Sequence, residues 1–536
     1  MAFMRMMGAS SIDYHRSTVL GRDDDHPGQA LEYYASRGET PLEWGGGGAR
    51  ALGLSGAVTE SQYEAIYGVG GACDPTTGER LVSTRRPGME LVISAHKSVA
   101  ELGVIGRAED MHRIMDAERE ATLAYLDDVT RRLGGRRGHD NHRTPTEGLL
   151  YAVTRHATSR AGDPCPHDHV LVANLVAMDD ERGGWKGADT ALWRQHLQAA
   201  TMVGRLAAAH EAVSLGYAIV ADGGPSGRLR HWAIAGVPEV VQETHSKRAA
   251  QIDAEMQRTG NISYRARGIA ARASRDPKRH TPMGELLPRW RAEIESVGWS
   301  VERLQAAIEH EVTRAMVPAP RLSGQQLRDL STATLDPDGE LAARKVFTRR
   351  DVIVAMAPSL YGRHPSELGV AVGRVLADPE AVPLVGVPGA TERAYATAMT
   401  IAREEAIARL VEAEVGRSNA AAVPVEVAAG ALARAQASLG LPLNAGQRAA
   451  VEGVLTSGRG VELVCGVAGS GKTTALAAVR DGFEAAGYTV IGTATSGQAA
   501  KTLGREAGIA PSRTLASLNW RIGHNQLRLV SAAVIP

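Results

Sequence analysis

Three histidines, His156, His167 and His169, have the residue type and the spacing expected of a shared metal site. His156 ends an apolar run that is predicted to be a strand, and the other two stand at the start of the next run. Because side chains alternate along a strand, His167 and His169 share one face. The intervening segment contains the turn-forming residues 162–164 (Gly-Asp-Pro). Antiparallel pairing of the two strands would therefore bring all three imidazoles together.

Such a group of imidazoles suits a divalent cation. Three neutral ring nitrogens leave further coordination positions open, and a cation with open positions acts as a Lewis acid. The alternative is that the histidines are ordinary polar residues at the mouth of a hairpin. Two of them on one strand face, with the third opposite, favour the metal site.

A second group of residues indicates phosphate binding near the C-terminal end of the sequence. Gly466, Gly471, Lys472 and Thr473 fit the pattern GxxxxGK[ST], with Gly469 inside the loop. A predicted strand precedes the loop and a predicted helix follows it, as the motif requires. Backbone amides would cradle the phosphates, the lysine would reach the terminal phosphates and the threonine would bind Mg²⁺. The loop therefore predicts ATP binding.

The elements that position these residues follow from apolar periodicity. Residues 90–95, 148–157 and 169–178 are predicted as strands, and residues 109–133 as one long amphipathic helix. Strands and helices that mix without strict alternation indicate an α+β fold.

The pattern changes twice further along the chain, which predicts three domains. The first covers residues 1–300, and a helical, Ala-rich region covers 301–435. Residues 436–536 follow a βαβ order, which is typical of a RecA-like α/β P-loop domain. The predicted elements there are a strand entering the loop at 461–469, a helix at 473–487 and a strand at 488–496.

Composition excludes several classes of protein. The 536 residues are 44 % hydrophobic and 22 % charged with a net charge of zero, which is ordinary for a soluble chain with a buried core. Three well-separated cysteines argue against a disulfide framework or a cysteine-based zinc site. No apolar run is long enough for a membrane span, and the N-terminus lacks the apolar core of a signal peptide. We therefore expect a cytoplasmic protein without membrane insertion.

The pattern His156-x10-His167-x-His169 resembles the metal motif of the HUH-type relaxases, and specifically of their MobF class, the TrwC-like conjugative relaxase-helicases. Three more segments resemble that family in the same order, at residues 33–56, 86–102 and 245–253. The resemblance covers roughly residues 10–300. It implies an HUH-type relaxase domain built on an antiparallel central sheet.

The resemblance also implies an activity, namely metal-dependent nicking and rejoining of one DNA strand at a plasmid origin of transfer. A tyrosine attacks the strand and leaves a 5′-phosphotyrosyl bond and a free 3′-OH. A tyrosine with a pKa near 10 is a poor nucleophile unless a base or a metal assists it. We expect Tyr14 to cleave first and Tyr33 or Tyr34 to act second. The alternative for the later pair is packing of a short amphipathic helix.

Glu90 stands where the family has an aspartate that orients a metal-binding histidine or serves as the base for the tyrosine. A carboxylate that accepts a hydrogen bond from an imidazole fixes its tautomer. The alternative is a charge on an edge strand. For the metal, imidazole ligands suit several transition metals, whereas phosphate chemistry and availability favour Mg²⁺ or Mn²⁺.

The C-terminal region resembles superfamily 1 helicases. Residues 443–453 are similar to their adenine-contacting segment, with Gln447 as the contact, and residues 492–503 are similar to their next motif. No Asp or Glu follows Glu506, where an acidic Walker B strand is expected. This implies a truncated helicase region that binds nucleotide without ATP hydrolysis or unwinding.

The expected partners are single-stranded or hairpin DNA at an origin of transfer, accessory relaxosome proteins and a coupling protein. Two alternative functions stay open at this point. One is a rolling-circle replication initiator or a transposase of the HUH group, although those enzymes usually place the tyrosine after the histidine motif. The other is a catalytically inactive remnant that binds an origin.

Overall fold

The computed structural model describes residues 3–8, 12, 15–16, 39–68, 70–84, 86–137, 142–222, 231–260, 264–274, 281–315, 320–341, 344–388, 390–418, 420–467 and 469–527. Tyr14, Tyr33 and Tyr34 lie outside these residues. The chain forms two compact units, Met1–Ala398 and Met399–Pro536. The domain limits at 300 and 435 stay predictions.

The first unit contains a five-stranded sheet and several smaller ones. Its strands are β1 (Phe3–Met6), β2 (Glu43–Gly45), β3 (Ala72–Cys73), β4 (Arg80–Val82), β5 (Gly88–Ser94), β6 (Gly135–Arg137), β7 (His142–Thr144), β8 (Tyr151–Thr158), β9 (Pro164–Ala173), β10 (Val176–Ala177), β11 (Trp185–Lys186), β12 (Ile219–Asp222), β13 (His231–Ile234), β14 (Phe347–Thr348), β15 (Ala381–Leu384) and β16 (Ala394–Thr397).

Helices cover and connect these sheets. The helices of the first unit are α1 (Gly47–Ala51), α2 (Glu60–Tyr67), α3 (Lys97–Val104), α4 (Ala108–Leu133), α5 (Thr190–Ser214), α6 (Glu239–Thr244), α7 (Lys247–Thr259), α8 (Tyr264–Ala273), α9 (Met283–Ser296), α10 (Val301–Ala315), α11 (Gly324–Leu335), α12 (Arg349–Met356), a 3₁₀ turn (Ala357–Leu360) and α13 (Ser366–Leu376). None of the helices among the described residues is both long enough and apolar enough to cross a bilayer.

The central sheet has the strand order β1-β5-β9-β8-β2, and every neighbouring pair is antiparallel. One face packs on α4 and α5, where Leu91 and Val170 meet Leu123 and Trp193 in a buried cluster. The antiparallel central sheet and the long helix predicted at 109–133 are confirmed. Helices α4 and α5 therefore support this face of the sheet. The other face packs in part on α1 and α2, where Leu171 and Ala173 meet Ala49 and Tyr67.

The three predicted strands of this sheet are present with shifted bounds. The largest shift is in β9, which begins at Pro164 rather than at residue 169. The turn before it is tight, since the Ser159 amide donates to the Asp163 carbonyl oxygen at 3.0 Å. Pairing therefore starts directly after the turn, and His167 and His169 lie inside the strand rather than at its start.

The region predicted to be helical also contains a small sheet. Strands β14, β16 and β15 form an antiparallel sheet in that order. Helices α11, α12 and α13 pack with it around Phe347 and Val372, and Met202 and Leu206 of α5 join the same core. Strands of two to four residues are too short to show a clear alternation, which is why the sequence pattern did not reveal them.

The second unit is mainly helical. Its elements are α14 (Ala398–Val415), which begins at the boundary between the units, α15 (Val425–Leu439), α16 (Ala445–Thr456), α17 (Lys472–Ala485), β17 (Gly492–Ala494), α18 (Gly497–Glu506), β18 (Ser512–Thr514) and α19 (Leu515–Gly523). Strands β17 and β18 pair in parallel. The helix predicted at 473–487 is confirmed, and the strand predicted at 488–496 is present as β17.

The strand predicted at 461–469 is wrong for its described residues, because residues 461–467 form no strand. Two of their apolar side chains lie largely in solvent, with Leu463 83 % and Val467 78 % exposed. The only sheet among the described residues of this unit is the β17–β18 pair, which offers this segment no hydrogen-bonding partner. An apolar run forms a strand only where a neighbouring strand takes up its backbone groups.

Candidate active site

The three histidines converge on the face of the sheet opposite α4 and α5. His156 and His167 face each other across β8 and β9, and His169 lies two residues further along β9. The ring centroids of the three imidazoles are 4.7–5.4 Å apart. One nitrogen from each lies within 4.8 Å of the others. The convergence predicted from strand alternation is confirmed.

Hydrogen bonds fix the tautomers of two of these imidazoles. Nδ1 of His167 lies 2.7 Å from the carbonyl oxygen of Cys165, and Nδ1 of His169 lies 2.6 Å from Oε1 of Glu90. Both oxygens can only accept, so each Nδ1 carries the proton when the ring is neutral. Each Nε2 then presents a lone pair, which is the donor that a divalent metal takes from histidine. The donor set therefore fits a metal ion.

The two histidines of β9 differ in how readily they bind a proton. Burial lowers the pKa of His169 to about 4, against the opposing effect of its hydrogen bond to Glu90. Burial also lowers the pKa of His167, but its hydrogen bond to Cys165 and the charge of that side chain outweigh burial and raise the pKa overall. His169 is thus neutral at pH 7, whereas a metal competes with a proton at His167 more than at His169.

Glu90 is fully buried on β5, between β1 and β9. Its Oε2 accepts from Arg5 Nε at 2.6 Å, and its Oε1 accepts from His169. The alternative of an edge-strand charge is therefore wrong, because β1 pairs along the outer side of β5. Burial raises the pKa of Glu90, but hydrogen bonds from His15, His169 and Arg5 bring it far below its ordinary value. The carboxylate is ionised and holds the His169 ring in place.

His15 and Arg5 belong to the site although no sequence pattern indicates a role for them. His15 is fully buried, its Nε2 lies 3.4 Å from Glu90 Oε1, and its ring centroid is 5.2 Å from that of His169. His15, Glu90 and His169 form a second group of ligand atoms within 4.8 Å. The available signal for His15 was its position directly after Tyr14. For Arg5, pairing of β1 with β5 is long-range and leaves no local signal.

On the reverse face, an ion pair holds β8 and β9 in register. Arg155 and Asp168 are directly opposite each other, and each is the sequence neighbour of a site histidine. Nε and Nη2 of the arginine donate to the two carboxylate oxygens at 2.6 and 2.8 Å. Asp116 of α4 accepts a further hydrogen bond from Arg155 at 3.0 Å. A one-residue slip would turn the histidines to the other face, so this bidentate pair favours the site-forming register.

The turn between β8 and β9 is anchored by the segment 245–253 and by α9. The backbone amide of Arg248 donates to Oδ2 of Asp163 at 3.2 Å, and Trp290 Nε1 donates to the carbonyl oxygen of Gly162 at 2.8 Å. His245 is buried and bonded through Nδ1 to Glu101 of α3 at 2.9 Å. These contacts attach the turn between β8 and β9 to α7 and α9, and they attach His245 to α3.

The phosphate loop lies in the second unit. Gly469 and Gly471 have φ angles of +80° and +79°, and α17 begins directly after them at Lys472. Nζ of Lys472 donates to the carbonyl oxygens of Gly466 and Val467 at 2.8 and 2.9 Å. Its ammonium group therefore lies within the loop.

Two further predicted nucleotide-binding residues flank this loop. Thr473 lies in the first turn of α17. The side chain of Gln447 accepts from the Asn444 amide at 3.0 Å and donates to the Ser470 carbonyl oxygen at 3.2 Å. Gln447 thus joins the N-terminus of α16 to the loop, and its contact with adenine stays a prediction.

A family model described as TrwC relaxase matches residues 9–297, more than half of the chain. The chain belongs to the TrwC relaxase family. The resemblance drawn from the histidine motif is confirmed, and the comparisons do not favour a rolling-circle initiator or a transposase. A second family model, described as an AAA domain, matches residues 442–535 and agrees with the predicted P-loop region.

Similar proteins carry names from conjugation. Multifunctional conjugation protein TraI of Escherichia coli is 26 % identical over 365 residues, which are 64 % of this chain and 20 % of TraI. Probable conjugal transfer protein TraA of Sinorhizobium fredii is 36 % identical over 196 residues, 34 % of this chain and 16 % of TraA. The chain spans about a fifth of the length of these relatives. A solved structure of conjugative relaxase TrwC in complex with oriT DNA is 25 % identical, covering 56 % of this chain and all of that one, with a TM-score of 0.47.

In this TrwC-family site, Glu90→Gln should weaken metal binding by roughly 10- to 100-fold, the range typical of partners that orient a ligand. The neutral amide accepts more weakly from His169 and no longer balances Arg5. Calorimetric titration of the purified protein with Mn²⁺ measures the change. Glu43→Gln, an exposed change on β2 of the same sheet, is the matched control. Equal Mn²⁺ affinity in both variants would contradict the orienting role.

Proposed function

We propose that this chain is a DNA strand transferase that nicks and rejoins one strand at a plasmid origin of transfer through a 5′-phosphotyrosyl intermediate. The observation that carries the proposal is the convergence of three imidazoles with at least two Nε2 lone pairs available. Membership of the TrwC relaxase family supports it. The conjugation names of TraI and TraA support the biological process.

His156, His167 and His169 would hold the divalent metal, with Mg²⁺ or Mn²⁺ as the first candidates. When bound, the metal supplies Lewis-acid polarisation of the scissile phosphate. Glu90 keeps the His169 ring oriented through its hydrogen bond to Nδ1. Arg5 in turn holds the carboxylate from β1.

The covalent step belongs to the tyrosines. The hydroxyl oxygen of Tyr14 attacks the scissile phosphorus, the bond from phosphorus to the 3′ oxygen breaks, and the strand leaves with a free 3′-OH. The phosphotyrosyl ester keeps the bond energy, so rejoining needs neither water nor ATP. Tyr33 or Tyr34 would serve the later strand transfer. His15, the residue that follows Tyr14 in the sequence, is buried against Glu90.

The substrate we propose is single-stranded or hairpin DNA at the origin, within a relaxosome of accessory proteins that contacts a coupling protein in the cytoplasm. The C-terminal P-loop would bind ATP through the backbone of 466–471 and through Lys472 and Thr473. The AAA-domain match supports this nucleotide site.

Lys472→Ala should remove nucleotide binding and leave DNA nicking unchanged, because the histidines and the P-loop belong to separate compact units. Fluorescent ATP-analogue binding and plasmid nicking would be measured on the same preparation. Lys501→Ala, an exposed lysine of α18, serves as the control. A large fall in nicking for Lys472→Ala alone would contradict the separation of the two activities.

Plasmid nicking tests the proposal directly. Supercoiled DNA of the protein's own replicon is incubated with Mg²⁺ or Mn²⁺ and quenched with detergent. We expect nicked circles that carry protein on the 5′ end, and no nicking with a chelator present. Origin binding without nicking in either metal would instead support the inactive remnant.

A further inference from the structure

The segment 324–397 has the topology of a winged helix-turn-helix. Its order is helix α11, strand β14, helices α12 and α13, and then the hairpin β15–β16. The first strand joins the hairpin to give the sheet order β14-β16-β15, antiparallel throughout. In this arrangement α12 and α13 are the helix-turn-helix and the hairpin is the wing. The segment lies between residues 297 and 442, outside both family-model matches.

This module has a core that fixes the third helix. Leu368, Val372 and Val375 of α13 are buried against Phe347 and Ile353. The core is continuous with α5 of the central sheet layer through Met202 and Leu206. The module is therefore packed within the same compact unit as the histidines.

The opposite face of α13 is in solvent. Ser366, Val370 and Arg374 lie on it at intervals of four residues, and Val370 is 60 % exposed. In helix-turn-helix proteins this second helix enters the major groove and its outward side chains reach the bases. The exposed face is thus the one that a DNA-binding module of this topology uses.

The charges on this surface favour a polyanion. Basic side chains are exposed on α13 (Arg374), just before β14 (Lys345), at the start of α12 (Arg349) and on the wing (Arg393). Three of the acidic side chains interleaved with them are turned inward: the side chains of Asp351, Glu367 and Glu392 are 12 %, 10 % and 13 % exposed. Glu380, directly before β15, is the exposed acidic residue.

Each inward acidic group also has a partner. Asp351 pairs with Arg344 at 2.9 Å, and Glu367 accepts from the Leu322 amide at 2.9 Å. Glu392 lies 3.8 Å from Arg350. Among the described residues of 344–397, exposed basic side chains therefore outnumber exposed acidic ones.

We infer that the segment 324–397 is a second DNA-binding module, which takes duplex DNA with α13 in the major groove. Arg374 and Ser366 would face base edges, while Lys345, Arg349 and Arg393 would contact phosphates on either side. The inference rests on the proposed function in that DNA is the substrate. The module would add a second site, which binds duplex DNA outside the histidine centre.

Charge reversal in the full chain tests this site. Arg349→Glu with Arg374→Glu should lower the affinity for a duplex of about 30 base pairs by roughly tenfold, and reduce the slope of log affinity against log salt by about 1, because Arg349 is the phosphate contact of the pair. Arg328→Glu, an exposed arginine of α11, is the matched control and should change affinity less than twofold. Fluorescence anisotropy in the presence of a chelator measures binding without cleavage. Equal losses in the double variant and the control would overturn the inference.

Photo-crosslinking locates the contact. p-Benzoylphenylalanine in place of Val370 should crosslink to the duplex, whereas the same residue in place of Gln325 on α11 should not. Crosslinks to single-stranded DNA alone, or to protein alone, would overturn the inference.

Nicking and duplex binding can be measured separately, so failure of the proposed function is distinguishable from failure of the duplex-binding module. The double variant should still nick a single-stranded origin oligonucleotide at the unmodified rate. Duplex crosslinking without any nicking would contradict the proposed function and support the duplex-binding module. Nicking without crosslinking would support the proposed function and contradict the module.

Discussion

His167→Ala should reduce strand cleavage by at least roughly a hundredfold while origin binding changes little. The substitution removes one of the three proposed metal ligands, and Lewis-acid stabilisation of a phosphoryl transition state contributes several kcal/mol, with about 1.4 kcal/mol for each tenfold in rate. We expect the DNA contacts to depend on other residues. Single-turnover cleavage of an origin oligonucleotide and its binding by anisotropy give the two readouts.

His310→Ala, at a histidine whose side chain is 71 % exposed on α10, controls for the loss of an imidazole. Thermal melting of both variants shows whether the fold persists. Loss of DNA binding together with cleavage in His167→Ala would mean that the cluster is structural. Retained cleavage would mean that the metal is held elsewhere.

Tyr14→Phe should lower formation of the first covalent adduct by roughly a thousandfold or more, as expected for loss of a nucleophile. Phenylalanine removes a single oxygen, so metal affinity and DNA binding should stay unchanged. Adducts that survive denaturing electrophoresis report the reaction.

Tyr33→Phe and Tyr34→Phe are the matched controls, because they remove the same oxygen from the residues proposed for the later step. Both should form the first adduct at the normal rate. Full adduct formation by Tyr14→Phe, with loss in one of the other two, would reverse the order of the nucleophiles and keep the enzyme.

The histidine centre could be predicted because its information is local. Alternation places His167 and His169 on one face, and a turn signal between the strands brings His156 opposite them. The long helix α4 was predictable for the same reason, since its apolar spacing is continuous over 26 residues. These features need only the residues within one hairpin or one helix.

The surroundings of Glu90 were not predictable from local patterns. Its burial depends on β1, which pairs with β5 across 85 positions of sequence and brings Arg5 to the carboxylate. His15 reaches the same carboxylate from an equally remote segment. Periodicity shows which face of a strand is apolar, but it does not show which strand lies alongside.

The short strands of the winged segment are present but were not predicted, whereas the strand predicted at 461–467 does not form. Strands β14, β15 and β16 have two to four residues, so pairing with one another rather than any pattern defines them. Residues 461–467 have the apolar pattern of a strand, yet no neighbouring strand within the described part of the second unit pairs with them. Strand formation is decided by partners that the pattern does not encode.

The proposed reaction leaves the DNA strand esterified to a tyrosine of this chain. The most direct measurement is mass spectrometry of the DNA-linked peptide after reaction of the protein with supercoiled DNA of its own replicon and Mn²⁺. We expect a phosphotyrosyl nucleotide on Tyr14. A protein that binds both Mn²⁺ and origin DNA but yields no adduct on any tyrosine would contradict it.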